Sequence, residues 1–259
     1  MSGTADLYLA EHEGGEPRAV AANVPGGTFQ PAWSPDGSSL VFVSWDDEDG
    51  GHLWRVPASG GEAQQLTSQP AAWSDPAWST DGQRIVALRA SARARQEGST
   101  PGAELVWVPA GGGDHTVIAP SQGSRLPHFR ASEPGRIYLS RSGTLVSMAW
   151  DGTDEKQHVR VTAFPRASGG QPGSADVVQV APRGDLAMAR ASDQLYVMPI
   201  PLVGGETPTV SVRDPDGAIV PVRKLSELGA WWPEWGADGR TVHWTLGSGH
   251  FVYDLDRAE

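Results

Sequence analysis

A seven-residue phrase occurs three times in this chain, and it constrains the fold more than any other feature of the sequence. Residues 31–37 read Pro-Ala-Trp-Ser-Pro-Asp-Gly, residues 76–82 read Pro-Ala-Trp-Ser-Thr-Asp-Gly, and residues 233–239 read Pro-Glu-Trp-Gly-Ala-Asp-Gly. A mostly apolar run follows each copy. The phrase predicts a tight turn between two strands, because proline presets φ, aspartate bonds nearby backbone and glycine accepts a positive φ.

A hairpin pattern alternates with this phrase along the chain. In its three regular copies the first leucine lies seven residues before a Gly-Gly pair, and these leucines are Leu7, Leu53 and Leu105. When degenerate copies of the phrase are included, it occurs five times. The five positions, here called anchors, lie near residues 31, 76, 127, 178 and 233. Two hairpins per repeat make four strands, and a four-stranded repeat of this period is typical of a propeller blade. We therefore predict that residues 1–259 form one all-β domain, a β-propeller of about five four-stranded blades.

The ends of the chain leave two arrangements open. In a closed ring, the N-terminal hairpin at residues 6–20 would complete the last blade and protect its edge. In an arc of a larger ring, two unpaired edges would remain, and self-association would be expected. Between the ends, residues 91–102 and 162–175 are predicted loops, and residues 209–222 are predicted to form an extra hairpin closed by an Asp-Gly turn.

Charge and composition exclude several classes of function. The chain carries 20 Lys and Arg against 31 Asp and Glu, a net charge of −11, so we expect no nucleic-acid partner. It has no Cys, which excludes disulfides and thiolate metal sites. No apolar run is long enough to span a bilayer, so we expect no membrane partner. The N-terminus lacks the basic and apolar regions of a signal peptide.

The alternation of the turn phrase with a Leu-Trp-x-Val hairpin resembles the repeat of TolB-like and Tricorn-like propellers. Two stretches, residues 44–54 and residues 230–255 (which begin Ala-Trp-Trp-Pro-Glu-Trp), resemble the C-terminal part of another propeller domain. That domain belongs to large bacterial metal-dependent amidohydrolases of the imidazolonepropionase-like type. The resemblance implies that this chain is the propeller part of such an enzyme without its catalytic barrel. It also implies a periplasmic or extracellular location.

The sequence lacks the motifs of the common catalytic sites. No two of the seven His are separated by one residue, so the His-x-His metal pair of an amidohydrolase barrel is absent. Neither a Gly-x-Ser-x-Gly elbow nor a phosphate-binding loop occurs. The acidic run at residues 46–50 lacks the spacing of a helix-flanked calcium loop, and an acidic loop between strands explains it equally well. We therefore expect no catalytic residue, no metal and no cofactor.

Loops at one end of a propeller are its usual binding surface, so residues predicted to lie there are candidates for binding a ligand or a partner. For the tryptophans, a wedge between adjacent blades is the alternative role. The ten candidates are Trp45, Asp46, Asp47, Trp73, Asp75, Arg89, Arg125, His128, Trp231 and Trp232.

Three functions fit these features. The first is a noncatalytic scaffold or protein-interaction domain, whose partner is another protein or a cognate hydrolase domain. It rests on complete repeats and missing catalytic motifs. The second is a hydrolase with a site at the funnel end of the propeller, which would use Asp46, Asp47, Arg89 and His128. The third is a propeller fragment or engineered scaffold without a ligand.

Overall fold

The strands of this protein follow one another in the order that the repeats predict. The computed structural model describes residues 6–11, 15–21, 23–93, 102–164, 172–201 and 205–257. Two compact units divide the chain, Met1–Pro127 and His128–Glu259. The strands of the first unit are β1 Tyr8–Leu9, β2 Arg18–Ala19, β3 Gly27–Trp33, β4 Ser39–Asp46, β5 Gly50–Pro57, β6 Gln64–Gln65, β7 Ala72–Trp78, β8 Arg84–Ala90, β9 Glu104–Pro109 and β10 Thr116–Pro120.

The remaining strands begin at β11, which contains the division between the units. They are β11 Arg125–His128, β12 Arg136–Arg141, β13 Thr144–Ala149, β14 Lys156–Ala163, β15 Gly173–Ser174, β16 Val177–Val180, β17 Leu186–Ala191, β18 Gln194–Pro199, β19 Thr209–Ser211, β20 Arg223–Lys224, β21 Trp231–Trp235, β22 Thr241–Leu246 and β23 Gly249–Asp254.

Five of the sheets correspond to the five predicted repeats. Their strand orders are β3-β4-β5-β6, β7-β8-β9-β10, β11-β12-β13-β14-β15, β16-β17-β18-β20 and β21-β22-β23. Each of the five anchor positions lies in the first strand of one of these sheets. The predicted all-β class and the predicted number of repeats are therefore confirmed. Within the described residues, the last sheet has three strands, and for a closed ring the prediction is that the N-terminal hairpin completes this blade.

The turn phrase forms the hydrogen bonds that its residue types predict. In the first copy, Ser34 Oγ donates to Asp36 Oδ1 at 2.6 Å, and the same carboxylate oxygen accepts a backbone N–H two residues on, at 3.0 Å. Gly37 has a φ of 70°, a conformation that glycine adopts without steric cost. In the second copy, Ser79 Oγ donates to Asp81 Oδ1 at the same 2.6 Å. The phrase is therefore a structural turn.

The second strand of each of the first four sheets is almost entirely buried, as its apolar sequence predicts. In the first unit, Val41 of β4 and Ile85 of β8 share a core with Trp73 of β7. In the second unit, Val178 of β16 packs with Val159 of β14. Burial on both faces is expected for a sheet that lies between two neighbouring layers.

The tryptophan of the turn phrase contacts the preceding sheet of its own unit. Trp78 is buried, and its Nε1 donates to the Ala32 carbonyl at 3.1 Å. Trp235 is half-buried, and its Nε1 donates to the Gln179 carbonyl at 3.4 Å. Trp33 is instead 53% exposed. Trp78 and Trp235 therefore pack against the preceding sheet, whereas Trp33 is largely exposed.

The predicted hairpin at residues 209–222 is wrong. β19 pairs in parallel with β14, placing Thr209 opposite Arg160, and the described residues that follow contain no returning strand before β20. Gly217 lacks the positive φ that a two-residue hairpin turn needs, and its N–H donates to Asp214 Oδ1 at 3.2 Å. The insertion also delays the fourth strand of its sheet, since β18 pairs with β20 beyond it.

The N-terminal segment forms the predicted hairpin, with β1 and β2 paired antiparallel. Leu7 and Leu9 pack against the core of the first sheet beside Val20. Parts of the two predicted loops, residues 94–101 and residues 165–171, lie outside the described residues. In the part of the chain that is described, no helix is both long and apolar enough to cross a bilayer.

Candidate functional site

Four first strands have a residue with positive φ directly before a proline of the repeat. Gln30, Asp75, Leu126 and Trp232 have φ values of 52°, 51°, 53° and 47°. Residues other than glycine rarely adopt this conformation. In β3, β7 and β21 the register to the next strand shifts at this point. Because a bulge changes the direction of its side chain, each of these strands displays one side chain at an equivalent position.

In the first unit, three of these residues are joined by hydrogen bonds through Asp75. Gln30 Nε2 donates to Asp75 Oδ1 at 2.9 Å, and the Asp75 N–H donates to Gln30 Oε1 at 3.1 Å. The Leu126 N–H donates to Asp75 Oδ2 at 3.1 Å. Both carboxylate oxygens are thus engaged, and Asp75 connects strands β3, β7 and β11.

The predicted acidic cluster at the end of β4 is an organised turn. Trp45 Nε1 donates to Asp47 Oδ1 at 2.8 Å. Asp46 Oδ1 accepts the N–H groups of Glu48 and Asp49, at 2.8 and 3.2 Å. The predicted candidates Trp45, Asp46 and Asp47 therefore lie together, and the two carboxylates accept hydrogen bonds from neighbouring residues.

The other first-unit candidates occupy three different environments. Trp73 is 1% exposed and packs in the core of the first two sheets. It therefore packs between strands, the alternative to binding, and has no surface for a partner to contact. Arg89 pairs with Glu104 of the adjacent strand at 3.4 Å. Arg125 is exposed on β11.

In the second unit, His128 has a structural contact. The Val180 N–H donates to His128 Nε2 at 2.9 Å, which joins β11 to β16. Since Nε2 accepts this bond, the proton of the neutral ring lies on Nδ1. The ring centre also lies 5.9 Å from that of Tyr138.

A serine–histidine contact that the sequence does not indicate lies in the third sheet. Ser147 Oγ is 2.7 Å from His158 Nε2, and Arg136 Nε donates to the same hydroxyl at 2.9 Å. The hydroxyl proton is therefore directed at His158, and burial, assisted by the Arg136 charge, lowers the pKa of His158. The spacing suits a nucleophile and its base, but Ser147 is completely buried, so a substrate cannot reach it.

Arg190 organises the region of the second unit that contains the two remaining candidates. It is 9% exposed. Its Nε donates to the Ala230 carbonyl at 2.7 Å, its Nη1 to Asp176 Oδ2 at 3.0 Å, and its Nη2 to Asp193 Oδ1. Its Cζ lies 4.2 Å from the centre of the Trp231 ring. This cation–π contact stabilises the packing of Trp231 against Arg190.

A cavity of about 390 Å³, here named the Arg190 cavity, opens beside this arginine. Its aromatic, hydroxyl and carboxylate lining consists of Phe164, Ser174, Asp176, Ser192, Asp193 and Trp231. The ring centre of Trp232 lies 6.3 Å from that of Trp231, and Trp232 is 78% exposed. Two predicted binding residues are therefore exposed side by side next to a charged cavity.

Sequence reasoning missed Arg190 and the carboxylates that bind it. The sequence carries one signal of this site, which is the pair Ser192-Asp193 between two strands. The pair forms a two-residue hairpin turn with φ values of 50° and 61°. Asn-Gly is the usual choice for such a turn, and residues that break a local rule often mark a functional place. Among the described residues, no group of three or more His, Asp or Glu side chains is placed to hold a metal ion.

Comparison with known sequences gives a short match to a named peptidase. No protein-family model matches the chain. A stretch of 56 residues, 22% of this chain, is 45% identical to the uncharacterized peptidase YuxL of Bacillus subtilis (strain 168). The matched stretch is only 8% of that protein's length, so the activity of the whole peptidase does not transfer with it.

Comparison with solved structures covers nearly the whole chain. TolB from Acinetobacter baumannii superposes with a TM-score of 0.66 over 97% of this chain and 57% of that chain, at 13% identity. Oligogalacturonate lyase from Vibrio parahaemolyticus superposes with a TM-score of 0.57 over 98% of this chain and 69% of that chain, at 12% identity. Identities this low show the fold alone, since one fold serves many functions. This chain has a TolB-like β-propeller fold with five blades.

Proposed function

We propose that this chain is a noncatalytic propeller domain that binds a partner protein through Trp231 and Trp232. The exposure of this pair carries the proposal, because Trp232 is largely exposed while Arg190 holds its half-exposed neighbour in place. Exposed tryptophans beside charged groups are typical of the centre of a protein interface. There they supply a large contact area and lose little conformational freedom on binding.

The hydrolase alternative has less support. Asp46 and Asp47 accept local hydrogen bonds, Arg89 pairs with a glutamate, and His128 accepts a backbone N–H. A catalytic group must reach the substrate with its donor or acceptor, and each of these four side chains already makes at least one such contact within the protein. We expect the purified chain to hydrolyse neither amides nor esters. Hydrolysis that is lost in Asp47→Ala would favour the enzyme instead.

Site-specific photo-cross-linking in the cells that make the protein tests the binding proposal. Benzoylphenylalanine replaces Trp232, or, as a control, Val117, an exposed residue on β10 of the first unit. We expect a discrete cross-linked protein from position 232 and none from position 117. The product from position 232 should weaken when Trp231→Ala is added. Equal products from both positions, or none from position 232, would contradict the proposal.

We also propose that this propeller serves a larger hydrolase in the periplasm or outside the cell. The motifs at residues 230–255 resemble an amidohydrolase propeller, whereas the 56-residue match favours a peptidase. The two parents differ in the coding sequence next to this region. A His-x-His barrel would support the amidohydrolase, and a peptidase motif would support the peptidase. Cell fractionation tests the location, and recovery in the cytoplasmic fraction would contradict it.

A further inference from the structure

We infer that the Arg190 cavity binds a basic side chain, an arginine or a lysine, of the partner protein. This inference rests on the proposed function and specifies the chemistry that the partner presents. It follows from the charge of the cavity, from the groups that are available there, and from the backbone conformation that places them.

The Arg190 cavity carries an excess of negative charge. Its lining contains one cation, Arg190, and two carboxylates, Asp176 and Asp193. Each of the three guanidinium nitrogens donates to a protein acceptor, and the Trp231 ring lies against the guanidinium. The arginine is therefore committed to its own protein and is poorly placed to receive an anion. The net charge of −11 on the chain adds a long-range attraction for cations.

Asp193 supplies the acceptor for an incoming N–H group. Its side chain is 66% exposed, and only its Oδ1 is bonded to Arg190. Within the described residues, its Oδ2 has no donor. The exposed Phe164 lines the same cavity, and an aromatic face attracts a cation. A carboxylate oxygen beside aromatic rings suits a guanidinium or ammonium group, which gains from both.

The backbone that positions Asp193 is unfavourable. Ser192 and Asp193 both have positive φ, whereas the equivalent turn between β12 and β13 uses Ser142 and Gly143, with φ values of 47° and 77°. In the third sheet, glycine adopts the positive φ at the second turn position without steric cost. In the fourth sheet, Asp193 occupies that position. An uncommon conformation that places a carboxylate at the rim of a cavity points to a role for that carboxylate in binding.

The test uses the full chain and blocked pentapeptides, acetyl-Gly-Gly-X-Gly-Gly-amide, in which X is arginine, lysine or citrulline. Citrulline keeps the shape of arginine but carries no charge. Binding is followed through the indole N–H signal of Trp231 in NMR titrations. We expect saturable shifts with the arginine and lysine peptides, and at least fivefold weaker binding of the citrulline peptide.

Two variants locate the binding. Asp193→Asn keeps the side-chain oxygen for Arg190 and tolerates positive φ, so it should fold, and it should bind the arginine peptide at least fivefold more weakly. Asp185→Asn, an exposed carboxylate of the same sheet, is the matched control and should bind unchanged.

The outcomes separate this inference from the proposed function. The inference is overturned if the arginine peptide gives no saturable shift, if arginine and citrulline peptides bind equally, or if Asp193→Asn binds unchanged. It is also overturned if an uncharged disaccharide such as maltose binds as tightly as the arginine peptide. Any of these results leaves a cross-link at position 232 standing. Binding of the arginine peptide without that cross-link would instead contradict the proposed function.

Discussion

The guanidinium carbon of Arg190 lies 4.2 Å from the centre of the Trp231 ring, while the nitrogens of the same group bond one carbonyl and two carboxylates. Arg190 belongs to β17, and Trp231 begins β21, so the contact joins the fourth and fifth sheets. It gives the half-exposed Trp231 a packing partner that is itself held by hydrogen bonds. The nitrogens at the edge of the guanidinium donate hydrogen bonds, and its planar face lies against the Trp231 ring.

Replacing Arg190 by methionine should destabilise the second unit by about 2–3 kcal/mol, because it removes the donor to the buried Ala230 carbonyl and the charged donor to Asp176. Arg190→Lys should recover little of this, since an ammonium cannot reproduce the planar fork. Urea unfolding followed by circular dichroism measures both variants. Arg213→Met, at an exposed position, is the control and should change stability by less than about 0.5 kcal/mol. Equal effects at positions 190 and 213 would contradict the role of Arg190.

Two tryptophans at equivalent places in the turn phrase should differ in their contribution to stability. Trp78→Ala should cost about 3–5 kcal/mol, because the buried indole packs against the preceding sheet. Trp33→Ala should cost less than about 1 kcal/mol, because that side chain is 53% exposed. Urea unfolding of the two variants side by side is the measurement. Similar losses would show that Trp33 is covered in solution.

The repeats were predictable from sequence because their determinants are local. The turn at residues 31–37 requires only a hydroxyl, a carboxylate and a glycine within a few residues, and all three are read directly. The buried strand that follows is marked by its apolar run. The position of each first strand then follows from the spacing of the phrase.

The candidate site was less predictable because its contacts are not local. Trp231 and Trp232 were identified as candidates, but Arg190, which packs against Trp231, lies in β17, and its carboxylate partners come from other elements: Asp176 precedes β16, and Asp193 lies in the turn after β17. No spacing rule links these positions. The error at residues 209–222 has a similar origin, since β19 pairs with the distant β14 and not with its own neighbour.

The pKa of Asp36 should respond to its neighbour Ser34. The pKa is lowered to about 2 from the ordinary 3.8, chiefly because the Ser34 hydroxyl donates to the carboxylate. Ser34→Ala should move it back toward 3.8, as measured by NMR titration of the carboxyl group. The pKa of Asp36 in the folded protein lies below its pKa in the unfolded chain. This carboxylate therefore stabilises the fold above about pH 4, and the contribution is lost as the pH falls to about 2.

Asp81 provides the internal control for this titration. Its pKa is also lowered, chiefly by the Ser79 hydroxyl in the second copy of the phrase. It should titrate identically in the wild-type protein and in Ser34→Ala. If Asp36 titrates unchanged in the variant, the bond from Ser34 does not set its pKa.

Stability should fall as the pH is lowered through the range in which His158 titrates. Burial lowers the pKa of His158 below its ordinary value of 6.5, so the unfolded chain binds a proton at a higher pH than the folded protein does. Above pH 6.5 the neutral ring therefore increases the free energy of unfolding. This contribution is lost as the pH falls toward the pKa that His158 has in the folded protein. Protonation would also remove the acceptor that Ser147 Oγ uses.

His158→Gln should reduce this pH dependence, because glutamine does not titrate. Urea unfolding at pH 7.5, 6.5 and 5.5 measures it, a range above the ordinary pKa values of Asp and Glu side chains. A residual slope is expected in the variant, since burial also lowers the pKa of His52. His52→Gln is therefore the matched comparison, and the double variant should be flatter than either single one. A slope unchanged by His158→Gln would mean that the ring titrates alike in the folded and unfolded chain, and that its contact with Ser147 does not favour the neutral form.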